Sequence, residues 1–181
     1  MITGTGKLLA AVIIILISTT ACAGDTDFRI GILAHNKGPI ASQSEDGFDV
    51  NLAYHSLLSK NTFGWDGFKS SWHLGAVFNS EGNTSYVYSG LLGRHDFGES
   101  NWFLEFGGGL AVHNGNIDDY SDDRRRMGST LLFRAELGLG YQINPNYSLQ
   151  FVADHISNGE IFAKDHNQGL DTYGIRLIYS F

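Results

Sequence analysis

The stretch "DTYGIRLIYSF", residues 171–181, places Tyr173, Ile175, Leu177, Tyr179 and Phe181 at steps of two. Successive side chains of a strand point to opposite faces, so this segment reads as a strand with one aromatic and aliphatic side. Arg176 lies on the other side. A soluble sandwich would turn the greasy face inward onto a core. A chain closed inside a bilayer would turn it outward to lipid.

The same alternation recurs upstream. Residues 47–55 put Phe48, Val50, Leu52 and Tyr54 on one face against Asp49, Asn51, Ala53 and His55. Residues 102–113 set Trp102, Leu104, Phe106, Leu110 and Val112 against Glu105, Gly107, Gly109 and Ala111. Residues 131–142 set Phe133, Leu137, Leu139 and Tyr141 against Arg134, Glu136, Gly138 and Gly140. Less regular candidates lie near 27–36, 71–79 and 84–94, and the last two run over 147–157 and 170–181. These make eight strands, and no helical period is found after residue 25. The face opposite the large apolar residues mixes glycine with isolated charges (Glu105, Arg134, Glu136, Arg176), which suits the narrow interior of a small barrel. With 13% aromatic residues, 23 Gly and only 2 Pro, the composition favours strands joined by tight turns.

The N-terminus reads as an export signal. Lys7 precedes the apolar run "LLAAVIIILI" (8–17), and "STTACAG" (18–24) supplies a small-x-small site at Ala21 and Ala23. The run is shorter than the roughly 20 residues a spanning helix needs. Cleavage after Ala23 removes residues 1–23 and leaves 24–181 as one domain. The rival reading, a lipidated Cys22, is disfavoured by Thr19 three residues before it. Cys22 is the only cysteine, so cleavage leaves no disulfide framework. A formal charge of −7 without a basic stripe excludes nucleic acid as a partner.

Export, eight alternating strands and a closing strand that resembles the assembly signal of Gram-negative outer-membrane barrels predict one fold. It is all-β: an eight-stranded antiparallel up-and-down transmembrane β-barrel, integral to the outer membrane. With both ends periplasmic, connections near 37–46, 80–84, 114–127 and 158–169 face outside. "NPN" (144–146) is then a tight periplasmic turn, and 59–71 is long for one.

On "FVADHISNGE" (151–160), His155 and Ser157 share the face of Tyr147, Leu149 and Phe151, and Asp171 shares that of Tyr173 and Ile175. All three polar residues are therefore predicted to face lipid at the base of the last outer loop, where polar groups need an explanation. A Ser-His-acid relay supplies one: the imidazole accepts the serine proton, and the carboxylate fixes the imidazole's tautomer. Machinery facing hydrocarbon calls for an amphiphile already in the membrane, and in the outer leaflet that amphiphile is lipid A.

The run His155-Ile156-Ser157-Asn158, with Asn167-Gln168-Gly169-Leu170-Asp171 and the strand to Phe181, resembles the lipid A 3-O-deacylases of the PagL type. The resemblance extends to "EDGFDVNLAYH" (45–55), "GNTSYVYSGL" (82–91) and "GGGLAVHNG" (107–115). It implies an esterase that removes the 3-linked 3-hydroxyacyl chain of lipid A, within lipopolysaccharide, without metal or other cofactor. Ser157 would be nucleophile, His155 general base and Asp171 the orienting acid. The family's acid is glutamate, and its separation from the histidine is slightly shorter than here, so Glu160 and Asp165 stand as substitutes. Asn158, Gly159 and Asn167 are candidate oxyanion or substrate-positioning groups. The resemblance also leaves a homodimer open.

Other features carry blander readings. "DDRRR" (122–126) could grip phosphates, but the flanking Asp118, Asp119, Asp122 and Asp123 favour a solvated, self-neutralising loop; Lys37 and Lys164 share this reading. The remaining histidines lack metal-ligand spacing. The alternatives to a lipid A esterase are a non-catalytic structural or adhesive barrel, or a phospholipase acting on glycerophospholipids.

Overall fold

The computed structural model describes residues 25–37, 45–65, 67–118, 124–161 and 168–181. The export segment 1–23, Lys164, Asp165 and Asn167 lie outside the described residues. Eight strands follow one another: β1 Thr26–His35, β2 Phe48–Ser59, β3 Phe68–Asn79, β4 Tyr86–Asp96, β5 Trp102–His113, β6 Leu131–Gln142, β7 Tyr147–Ser157 and β8 Leu170–Ser180. Each pairs antiparallel with the next, and β8 returns to pair with β1, closing the barrel. Hydrocarbon offers backbone groups no hydrogen bonds, so closure is what lets strands cross it.

The inside-outside alternation follows the expected parity. Ile32, Leu91, Leu137, Phe151 and Ile175 stand exposed on the outer wall, while Asn51, His73, Glu105, Gln150 and Arg176 are buried within. At the end of the barrel that carries the chain termini, aromatic rings pair on the outer surface. Trp102 meets Tyr141 at 5.1 Å between centroids, Tyr147 meets Tyr179 at 5.1 Å, and Phe28 meets Phe181 at 5.5 Å. Such a belt suits the boundary between lipid and water.

Three strands differ from expectation in their bounds, and β2 runs on past residue 55 to Ser59. β3 begins at Phe68 rather than near 71, because Phe68 is covered on the outer wall by the rings of Trp65 and Phe106. The polar pair Ser70-Ser71 hides that start from a search for alternating apolar residues. A 3-10 turn at Thr62–Gly64 occupies the connection between β2 and β3, which shortens to 60–67. β4 likewise runs two residues later than the sequence suggested.

The lumen is filled by paired charges. Arg134 donates to Asp154 Oδ2 through Nε at 2.9 Å and bonds Glu136, whose other oxygen accepts from Arg176 Nη1 at 2.8 Å. Nearer the termini, Arg29 bonds Asp27 at 2.7 Å and Glu105 Oε1 at 3.1 Å, and Gln150 Nε2 donates to Glu105 at 2.6 Å. Charges this deep persist only when partnered. Glycine supplies the remaining room: a Cβ on Gly140 would lie 2.0 Å from Phe103 Cζ. Towards the other end an apolar layer follows, in which Val77, Tyr86, Leu132, Ile156 and Leu170 cluster with Met127 from the β5–β6 connection.

This arrangement predicts opposite sensitivities on the two faces. Ile175→Arg, on the lipid face, should destabilise the barrel by about 2–4 kcal/mol in reversible unfolding from a bilayer. Glu136→Leu, which takes from Arg176 its hydrogen-bonded carboxylate and leaves Arg134 with the carboxylate of Asp154 alone, should cost roughly 3–5 kcal/mol although it adds apolar surface.

Candidate active site

Parity sets the site on the outer wall near the end opposite the termini. His155 of β7 is the direct cross-strand partner of Asp171 of β8. Cross-strand neighbours hold their Cβ atoms within about 5.5 Å, which an imidazole and a carboxylate can span. His155 Nδ1 meets Asp171 Oδ1 at 2.6 Å. The two side chains are 42% and 21% exposed, so both are reachable from the membrane side. With Nδ1 facing the carboxylate, Nε2 is left for other chemistry.

Ser157 follows two residues later on the same outer face and is half-buried. Among the described residues no hydrogen bond joins its hydroxyl to the imidazole. Gly169 ties the two together instead. A Cβ there would lie 3.0 Å from His155 Cε1 and 3.5 Å from Ser157 Cβ, and its φ of +57° is the left-handed region that glycine enters without penalty. The histidine and serine thus sit side by side over one bare stretch of backbone.

The other expected groups fall out differently. Asn158 is completely buried, its Nδ2 donating to Met127 O at 3.0 Å and its Oδ1 accepting from the Glu160 amide at 2.7 Å. Its side chain therefore pins the plug residue and the turn, facing away from the outer wall. Gly159 and Glu160 have φ of +62° and +59°, and the Ile161 amide donates to Asn158 O at 3.2 Å. That is a type I′ turn. Glu160 is exposed in it, and the carboxylate on the imidazole is that of Asp171.

Below His155 the wall is hollowed. Ala135 and Ala153 flank the histidine with small side chains, Leu137 and Tyr173 bound them, and the cavity they form with His155 and Asp171 measures about 300 Å³. It opens to the lipid side, because its apolar lining residues all belong to the outer face.

Sequence reasoning missed the support behind the site. Glu45, 1% exposed, accepts from the Thr84 amide at 3.0 Å, the Thr84 hydroxyl at 2.9 Å and the Arg125 amide at 2.9 Å. His35 bridges it to Asp49, with Nε2 2.9 Å from Glu45 and Nδ1 2.8 Å from Asp49. Burial alone would raise the Glu45 carboxyl, but these hydrogen bonds hold it down at about 2. Arg125, expected in a solvated loop, is only 3% exposed, and its Nη1 donates to the carbonyls of Gln168 and Gly169, the latter at 2.6 Å. Arg126 adds a backbone tie, its amide donating to Gln168 Oε1 at 2.7 Å. The motif "NQGLD" held the only cue, a glycine two residues before the acid.

A closed eight-stranded barrel with an apolar outer wall and a histidine–carboxylate pair on that wall belongs to the class of membrane-spanning β-barrels. The family comparison resolves which. The model of the lipid A 3-O-deacylase (PagL) family matches residues 46–180, and the chain belongs to that family of outer-membrane hydrolases acting on lipid A. Among solved structures, the outer-membrane enzyme PagL superposes with a TM-score of 0.67 at 18% identity, covering 86% of this chain and 99% of that one. Neisserial surface protein A superposes at 0.55 with 12% identity, over 89% of this chain and 100% of that one. Ail of Yersinia pestis superposes at 0.52 with 13% identity, over 87% and 99%. A comparison with curated protein sequences finds no match.

The Glu45 carboxyl titrates lower in the folded protein than in the unfolded chain. Its stabilising contribution is therefore complete above its ordinary value of 4.5 and drains away as pH falls towards about 2. Hydrogen exchange should show protection of the Thr84 and Arg125 amides constant from about pH 7 to 5 and declining below that window. In Glu45→Gln the same protection should be lower at neutral pH and lose its acid dependence.

Proposed function

We propose that the chain hydrolyses the ester holding the 3-linked 3-hydroxyacyl chain of lipid A, with Ser157 as nucleophile, His155 as general base and Asp171 as orienting acid. The observation that carries this reading is the His155–Asp171 pair on the lipid-facing wall, beside a serine on the same face.

The chemistry follows from the geometry. Catalytic hydrogen bonds commonly tighten only when substrate is bound, and the Ser157 hydroxyl is the one that would close on Nε2. Nε2 then takes the hydroxyl proton as Oγ bonds the ester carbonyl carbon, whose oxygen becomes an oxyanion. The Asp171 carboxylate stabilises the resulting imidazolium through Nδ1–H. Collapse of the intermediate breaks the ester bond, and the 3-oxygen of the glucosamine leaves with the proton from Nε2. Water, deprotonated by the same nitrogen, attacks the acyl-serine. The 3-hydroxy fatty acid departs, and the proton returns to Ser157.

The hollow at Ala135 and Ala153 supports this reading, since a hydrocarbon chain lying along the wall fits where a larger side chain would exclude it. The barrel approaches an amphiphile already packed against it, so only the ester needs steering. The acyl-enzyme route needs no metal or organic cofactor.

Ser157→Ala and His155→Ala should each lower deacylation by about 10³-fold or more, with the barrel still folded by heat-dependent gel migration. Asp171→Asn should also lose most activity, since it leaves the imidazole tautomer unfixed. Mass spectra of lipid A from expressing cells provide the readout. An unchanged spectrum with the intact protein would leave a non-catalytic barrel, and loss of fatty acid from glycerophospholipid alone would make the protein a phospholipase.

A further inference from the structure

Arg125 is the buried group near the site to which the relay assigns no part. Burial pushes its guanidinium below the ordinary arginine value, and the neighbouring Asp171 and Glu45 carboxylates oppose that shift. One nitrogen, Nη1, donates to two successive carbonyls, those of Gln168 and Gly169. Among the described residues Nε and Nη2 find no acceptor. Unpaired buried donors are unfavourable, so the contacts of Nη1 are what this buried arginine contributes to the fold here.

The peptide bonds here are trans, so each N–H points opposite to the carbonyl of its own peptide plane. Gln168 C=O is drawn to the guanidinium, so the Gly169 N–H is directed away from it. Among the described residues this amide has no hydrogen-bond partner. It belongs to the residue at which a Cβ would lie 3.0 Å from His155 Cε1 and 3.5 Å from Ser157 Cβ. The left-handed φ of Gly169 is what lets two consecutive carbonyls converge on one donor. Arg125 itself is anchored, since its own amide is bonded to Glu45 at 2.9 Å.

We propose that the Gly169 N–H is an oxyanion donor for the ester carbonyl attacked by Ser157, and that Arg125 is the positioning residue that holds it in that orientation. This rests on the esterase reading above and deepens it. The backbone amide is the donor that touches the reacting atom. Arg125 acts through it, and Glu45 acts through Arg125. The buried Asn158 side chain is outside this arrangement.

The test uses the full-length barrel in lipid A-containing vesicles, with a phosphonate analogue of the acyl ester as the oxyanion probe. Arg125→Met should lower kcat by about 10- to 100-fold, below the roughly 10²–10³-fold seen when a donor is removed outright. KM should stay within about twofold, because the donor acts in the transition state. The phosphonate should lose affinity by a similar factor while a non-reactive ether analogue binds as before. Arg125→Lys, which keeps a donor, should recover part of the rate. Gly169→Ala, which places a methyl on His155 and demands a left-handed φ, should be more severely impaired.

Two results would overturn the assignment: an Arg125→Met barrel, folded by gel migration, with full kcat and phosphonate affinity, or equal loss of phosphonate and ether binding. Ser157→Ala, run in parallel, separates the two layers of argument. If it abolishes turnover while Arg125→Met does not, the esterase reading stands and the positioning role falls. If Ser157→Ala turns over normally, the esterase reading itself falls.

Discussion

Everything in this molecule depends on the closure of its hydrogen-bonded ladder. Once β8 pairs with β1, every strand residue has only two places to go, the lumen or the lipid. Chemistry must then be assigned to one side or the other by parity alone. His155, Ser157 and Asp171 went to the outside, and Asp154, one residue before the histidine, went to the inside, where it meets Arg134. A one-residue slip in β7 would exchange those roles, exposing a lumen carboxylate to lipid and burying the imidazole. The same register therefore specifies both the barrel's electrostatic interior and the polar groups presented on its outer wall.

This explains what could be read from the chain before its structure was known. Strands with strict alternation, such as 131–142 and 171–181, declare their faces because period two is a local property. The start of β3 did not declare itself, since Phe68 is followed by Lys69, Ser70 and Ser71 and owes its burial to Trp65 and Phe106. The histidine, serine and acid were legible for the same reason as the strands: each could be assigned a face. The direct pairing of His155 with Asp171 then followed from antiparallel register across a single hairpin.

The supporting groups were illegible because they meet through loops far apart in sequence. Glu45, Thr84 and Arg125 come from three different connections, and no periodicity links them. Arg124, Arg125 and Arg126 are chemically alike and adjacent, yet the first donates to Gly82 O from the surface while the second is buried beneath the acid-bearing strand. Only packing separates them. Asn158 illustrates the converse: its position next to Ser157 suggested a role towards substrate, whereas one more step along the strand turned its side chain to Met127. The outer end is thus a knot of buried polar contacts, and the Asp171 carboxylate that meets His155 is drawn from its edge.

The crowded lumen has a consequence of another kind. Arg134, Glu136, Asp154 and Arg176 occupy the bore with neutralised pairs, and Met127 is buried in the apolar cluster beyond them. A barrel filled in this way is a packed post rather than a conduit, so whatever it does to membrane lipid has to be done from its outer wall or its rims.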